Sequence, residues 1–394
     1  MTARRTAPAL LLAISFLAFI SIGFPDAVLG VAWPSIRETF GRPRADLGFI
    51  LFGAGAGYFC SGALAGKAIE RFGVGNLLTI STTLVAAGLL GYAIAPSFWF
   101  IVFVAAVIGF GSGAVDAALN YYASEHFSVT VMNLLHAFFG VGAMVGPFIM
   151  AGVLAAGMSW RAGYVIVGGA IALMAVTFAL TSSAWSDNGH HEEAIRTVVA
   201  PLRMVVRMPL VWLQILLFFV MTGIEAGAGA WAFTTLYERF GMDPGLAGFW
   251  AGAYWGALAL GRLVLPSISR GMKPARLVQM GTWGLLAGGL LMTRDVESLY
   301  LSGLLLFGFS MAPMFPTLMS LTPIRLGSNV SIHAIGFQVS SAVLGGVAVP
   351  TLAGILSDRY GLVAIPWTLT VGALLLIGIE TSFRTLADHR SRAG

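Results

Sequence analysis

The sequence predicts an all-α membrane protein in which twelve transmembrane helices form two pseudo-symmetric six-helix bundles. Three observations predict it. Of the 394 residues 58% are apolar and only 10% charged, against the roughly 25% charge of a soluble domain, and the mean hydropathy is +0.87. Apolar runs of about 20 residues, the length that crosses the hydrocarbon as a helix, recur along the whole chain. The longest polar interruption, 182–209, falls after the sixth of them.

The spans lie near 9–33, 45–66, 75–95, 99–123, 131–156, 162–183, 209–235, 244–266, 276–293, 298–322, 331–356 and 362–383. The first follows "MTARRTAP" and resembles a secretory signal, but it runs too long and no small-residue cleavage site closes it, so it reads as a span. The connections are short and leave no room for a sizeable soluble domain. The organisation predicted is an N-terminal bundle over 1–183, a cytoplasmic linker over 184–208 and a C-terminal bundle over 209–394. Within the linker, 192–206 predicts a short amphipathic helix with Arg196, Arg203 and Arg207 facing headgroups. The 50 glycines fit helices that approach closely in lipid through small side chains.

Orientation follows from the bias of Lys and Arg toward the cytoplasmic side. With both termini inside, fifteen of the 22 Lys and Arg fall in the cytoplasm. The remaining seven, Arg37, Arg42, Arg44, Arg161, Arg239, Arg294 and Arg359, fall outside. The predicted location is the cell (inner) membrane with both termini cytoplasmic. The net charge of +5 is thereby a topology signal and points to no nucleic-acid partner.

Cys60 is the single cysteine, which excludes a disulfide framework within the chain, and its apolar surroundings read as those of a small buried hydrophobe. The six histidines show no ligand spacing, so no metal site and no cofactor are expected. No nucleophile with a base is visible, nor a P-loop. The chain is therefore read as a non-enzyme driven by an ion gradient. A monomer is expected.

Three carboxylates lie well inside spans: Asp26 in the first, Asp116 in the fourth and Glu225 in the seventh. No Lys or Arg is read at comparable depth. An unpaired charge there costs several kcal/mol, so these acids must face a polar cavity, bind a cation or carry a proton. Burial disfavours the charged form of a carboxylate, which suits a proton-coupled carrier. Other polar groups sit on neighbouring spans. Asn120 shares the face of Asp116 at i, i+4, Asn133 and His136 share a face of the fifth span, and Gln338 comes from the eleventh. His136 has three readings of equal standing: solute ligand, pH sensor, or a neutral ring packed on Phe138 and Phe139. Trp231 stands about two turns from Glu225 and Tyr121 and Tyr122 adjoin Asn120, a mixture of acids, amides and rings that suits sugar binding. Trp33 and Trp99, near span ends, read as interfacial belt residues.

The two halves echo each other. "GFPDAVLGVAWPSIRETFG", 23–41, and "GIEAGAGAWAFTTLYERFG", 223–241, share one glycine-to-glycine distance, and "GKAIERFG", 66–73, is matched by "GRLVLPSISRG", 261–271. In these turns the chain resembles the major facilitator superfamily, whose loop after the second span carries a Gly-x-x-x-Asp-Arg-x-Gly motif. Gly66, Glu70, Arg71 and Gly73 would be its counterpart here, with Glu70 in place of the aspartate.

A narrower resemblance rests on four segments: "GFPDAVLGVAWP", 23–34, "VDAALNYY", 115–122, "MNLLHAFFGVGAMVGP", 132–147, and "FGFSMAPMFPTLMSL", 307–321. These are similar to the fucose–proton symporter family. The resemblance implies Asp26 and Asp116 as the groups handling solute and proton, with Asn120 and Asn133 as solute ligands. The chain departs from that family in having Asp116 for a glutamate, Tyr121 for a proline, and His136 where a neutral amide is expected. The function expected is a secondary active transporter working by alternating access, taking up a sugar or similar small polar solute with protons. The alternative is a proton-coupled exporter of drugs or cationic amphiphiles, which three uncompensated acids would suit.

Overall fold

The structure, a computed structural model, describes residues 9–185, 200–269 and 271–393, and the regular elements among them are all helical. Helix α1 (Ala9–Phe40) contains Pro25 and Pro34. A 3-10 turn, Arg44–Asp46, leads into α2 (Leu47–Ala93), which carries the second and third spans in one run interrupted at Gly73, φ +72°. That left-handed backbone is open to glycine without strain. Helices α3 (Phe98–His126), α4 (Val129–Ala155) and α5 (Trp160–Thr181) each open on a serine, Ser97, Ser128 and Ser159, whose side chain accepts a hydrogen bond from a first-turn N–H. These caps satisfy donors that have no intrahelical partner.

After a single turn, α6 (Leu202–Val205), come α7 (Pro209–Thr234), which ends in the π-helical turn Thr235–Arg239, and then α8 (Pro244–Ile268) and α9 (Pro274–Met292). The tenth span is built from two pieces, α10 (Glu297–Met311) and α11 (Met314–Leu326). The break falls at Ala312 and Pro313, where proline has no N–H to continue the ladder. Helices α12 (Ser328–Tyr360) and α13 (Ala364–Ala393) close the chain. All twelve expected spans thus fall on helices, in the twelve-helix arrangement of an all-α membrane protein. Nine helices among the described residues are individually long and apolar enough to cross a membrane, and one of these, Arg44–Ala93, is long enough to do so twice. α8 falls short of that apolarity because Gly, Trp, Tyr and Arg262 dilute it.

Two compact units are present: Met1–His190 with Ala232–Ala259, and His191–Trp231 with Leu260–Gly394. In the first, α2 lies against α3, α1 against α4, and α2 against α5. The α2–α3 contact is backbone to backbone. A side chain at Gly57 would run into the carbonyl of Ala106, and one at Gly109 into that of Ala54. The N-terminal part of α8 belongs to this unit and packs on α4, with Phe249 stacked on Phe148 at 5.7 Å. In the second unit α9 packs on α10 and α13, and α11 on α12.

Two expectations are corrected here. Cys60 is exposed, because an apolar run facing lipid reads like one facing the core. Trp33 is fully buried and tilted against Phe98 at 6.4 Å, so it is a packing residue, whereas Trp99 is 56% exposed as a belt residue would be. Of the expected linker helix, 192–199 with Arg196 lie outside the described residues, while Arg203 and Arg207 are exposed in and beside α6.

The close α2–α3 approach predicts that Gly57→Val lowers the melting temperature in detergent, with an overpacking cost of about 1–3 kcal/mol. Gly62→Ala, at a position with open space around it, is expected to melt like the wild type. Equal melting of the two variants would refute the backbone contact.

Candidate functional site

In the first unit the α2–α3 contact decides which side chains meet. Asp116 and Asn120 stand one turn apart on α3, and Asn120 Nδ2 donates to both the carbonyl and the Oδ1 of Asp116, each at 2.9 Å. From α2, the Tyr58 hydroxyl donates to Asp116 Oδ2 at 2.7 Å. Both carboxylate oxygens therefore hold a donor, and all three residues are half-buried. His136 of α4 is near enough to Asp116 to interact with it electrostatically, and its ring lies edge-on to Phe19 at 5.2 Å. Tyr122 is buried and stacks on His126 at 4.0 Å.

This arrangement is suited to a change of protonation. An ionised carboxylate only accepts hydrogen bonds, and a protonated one must donate from one oxygen. The phenol of Tyr58 can turn from donor to acceptor, whereas the Nδ2 of Asn120 can only donate. A proton arriving at Asp116 is therefore accommodated at Oδ2 by reversing the Tyr58 bond, leaving the Asn120 bond to Oδ1 in place.

Sequence reasoning missed Tyr58. Its signal is the glycine run "GAGAGYFCSG", 53–62, which marks a close helix approach with one phenol at its centre. The side chains of Asp26 and Asn133 lie outside what the structure describes; their backbones are helical, in α1 and α4.

The second unit changes the reading of the other candidates. Glu225 of α7 faces Arg262 of α8 at 3.9 Å, both side chains mostly buried. The expectation of no basic residue at this depth is thereby corrected: Arg262 lies within α8 and its long side chain reaches inward. Trp231 is fully buried, and its indole N–H donates to the carbonyl of Pro350 at 2.9 Å, a bond between α7 and α12. Gln338, also fully buried, bonds to Thr322, which in turn meets Gln214. Arg325 donates to Gln214 and to Glu380. Glu380 is a buried acid within the last span that the sequence reading passed over. Trp231 and Gln338 thus each take part in a bond between helices of the second unit.

The loop motif residues Gly66, Glu70, Arg71 and Gly73 are exposed, with the Arg71 guanidinium over Phe72 at 5.8 Å. At the other end of the first unit, Glu238 accepts from two arginines. Arg37 of α1 reaches its Oε1 at 2.7 Å, and Arg44 reaches its Oε2 through Nη2 at 2.7 Å and Nε at 3.1 Å.

Removing one member of a buried ion pair strands the other and costs about 3–5 kcal/mol. Arg325→Ala is accordingly expected to lower the melting temperature sharply, and restoration of stability by the double variant Arg325→Met with Glu380→Leu would identify the stranded carboxylate as the cause. If Arg325→Ala melts like the wild type, the pair carries no such role.

The comparisons agree with this architecture. The chain is 27% identical over 359 residues to the 3-(3-hydroxy-phenyl)propionate transporter of Escherichia coli (strain K12), covering 88% of this chain and 86% of that protein. It is 20% identical over 379 residues to the glucose/mannose transporter GlcP of Bacillus subtilis (strain 168), covering 93% and 92%. Its fold matches the solved outward conformation of the transporter FucP with a TM-score of 0.63 at 18% identity, over 95% of this chain and 98% of that one. The family model for the Major Facilitator Superfamily matches residues 12–331, and the chain belongs to that superfamily of membrane transporters.

Proposed function

We propose that the chain is a secondary active carrier of the cell membrane that takes up a sugar or similar small polar solute together with protons. The observation that carries this reading is Asp116, held inside a span between a phenol that can reverse its hydrogen bond and an amide that cannot. Asp116 is the proton-carrying group, Asn120 and Asn133 are solute ligands, and Asp26 of α1 shares in the handling of solute and proton. His136, with its ring against Phe19, completes the wall. The likeness to a glucose/mannose transporter supports a sugar as solute, and both termini are assigned to the cytoplasm on the charge bias.

A second reading is a carboxylate as solute. Arg262 lies within α8 beside Glu225, and the relative at 27% identity is a transporter of an aromatic acid. The same arginine weakens the reading as an exporter of cationic amphiphiles, since Glu225 is not uncompensated.

In proteoliposomes, Asp116→Asn is expected to abolish uptake driven by an inward proton gradient while leaving solute exchange intact. Uphill uptake by that variant at the wild-type level removes Asp116 from proton coupling. Tyr58→Phe cannot reverse a hydrogen bond and is expected to slow driven uptake more than exchange. Binding, measured by thermal shift against sugars, carboxylates and amines, separates the solutes. For a sugar, Asn120→Ala is expected to weaken affinity by about 1–3 kcal/mol, the cost of leaving a buried partner unpaired. A carboxylate that binds normally to Asn120→Ala but not to Arg262→Gln would instead establish the second reading.

A further inference from the structure

Apart from Asp116, the first unit encloses a small cavity among four helices. Ser21, Ile22 and Pro25 of α1 line it, with Thr82 and Val85 of α2, Ser112 and Val115 of α3, and Ile171 of α5, and there is room for a single water-sized guest. Its three hydroxyl residues are at least nine-tenths buried. Thr79 and Thr83 bond the carbonyl four residues back along α2, the usual course for a threonine in an apolar helix. Thr82 does not, and its hydroxyl is buried without a hydrogen-bond partner. Buried polar atoms are nearly always satisfied, so an orphan hydroxyl beside a cavity points to a guest.

The proline supplies a further oxygen. Pro25 has no N–H, so the carbonyl of Ser21 four residues earlier loses its helical donor, and both residues line the same cavity. Ser21 donates its own hydroxyl proton to the Ala18 carbonyl at 2.7 Å, which leaves the lone pairs of its oxygen free to face a cation. The donor set is thus three hydroxyl oxygens and one carbonyl, all hard and all neutral. Divalent cations take carboxylate ligands, and among the described residues none lines this cavity. Hydroxyls with carbonyls released from an interrupted helix are instead a donor set for a monovalent ion within a membrane. Asp116, one turn along α3 from Ser112, does not line the cavity.

We propose that this cavity is a sodium site, distinct from the proton-carrying Asp116 and independent of the identity of the solute. Sodium there ties α1 to α2 and α3, so its occupancy holds the helix that carries Asp26 against the helices that carry Tyr58 and Asp116.

The test uses the purified full-length chain, with melting temperature read in NaCl, KCl and choline chloride at equal ionic strength. Binding to the folded state alone raises the melting temperature with ion concentration. NaCl is expected to stabilise the wild type and Thr82→Ser, which keeps the hydroxyl. It is expected to have no specific effect on Thr82→Val, which keeps the shape but not the oxygen, and about tenfold more sodium should be needed for the same shift in Ser112→Ala. If Thr82→Val fails to fold, Ser112→Ala against Thr82→Ser carries the comparison. Equal behaviour of the wild type in NaCl and KCl would show that the cavity holds water only and would overturn the proposal, as would a full sodium shift in both Thr82→Val and Ser112→Ala. Proton-driven uptake through Asp116 is read separately, so loss of either proposal leaves the other standing.

Discussion

Hydrocarbon offers no hydrogen-bond partner, and the polar side chains inside these spans therefore answer to one another. Asp116 takes donors from Tyr58 and Asn120, Trp231 donates to the Pro350 carbonyl, and Arg325 joins Glu380 and Gln214. Apart from the Asn120 bond, which lies within α3, each of these contacts needs two helices at a set distance. The glycines that let α2 and α3 touch backbone to backbone are in this sense part of the site, since a phenol one helix diameter further away would leave a carboxylate oxygen without its donor.

The two units spend their polar groups differently. In the second, Arg325, Glu380, Gln214, Thr322 and Gln338 form one buried chain across α7, α11, α12 and α13. An arginine does not lose its proton in a protein, so the guanidinium anchoring that chain is a fixed charge. In the first, Asp116 has a partner able to serve either protonation state. The former cluster holds helices together, and the latter can change its bonding with protonation.

The spans were legible because an apolar run of membrane length leaves little freedom, and even the division of α2 at Gly73 falls between the runs read as the second and third spans. Asp116 and Asn120 were legible through their i, i+4 spacing. Tyr58 was not, because a tyrosine in an apolar helix looks like a belt residue until a partner helix is placed beside it. Arg262 and Arg325 were read as cytoplasmic charges that set topology, and Glu380 was passed over at the edge of the last span. Charge counting records where a residue's backbone lies, whereas an arginine side chain reaches several ångströms inward. Gln338 and Trp231 were picked out by polarity, and their bonds to neighbouring helices could not be read before α7, α11 and α12 were placed.

Glu238 is held by separate side chains on its separate oxygens, one bond from Arg37 and two from Arg44. Arg37 is part of α1, while Arg44 stands in the connection to α2, so the two hooks of this latch ride on different pieces of backbone. Parting α1 from the end of α7 breaks a single hydrogen bond at first, with the forked grip of Arg44 still closed. The grip on Glu238 is thus shared between two stretches of backbone that can let go of it separately.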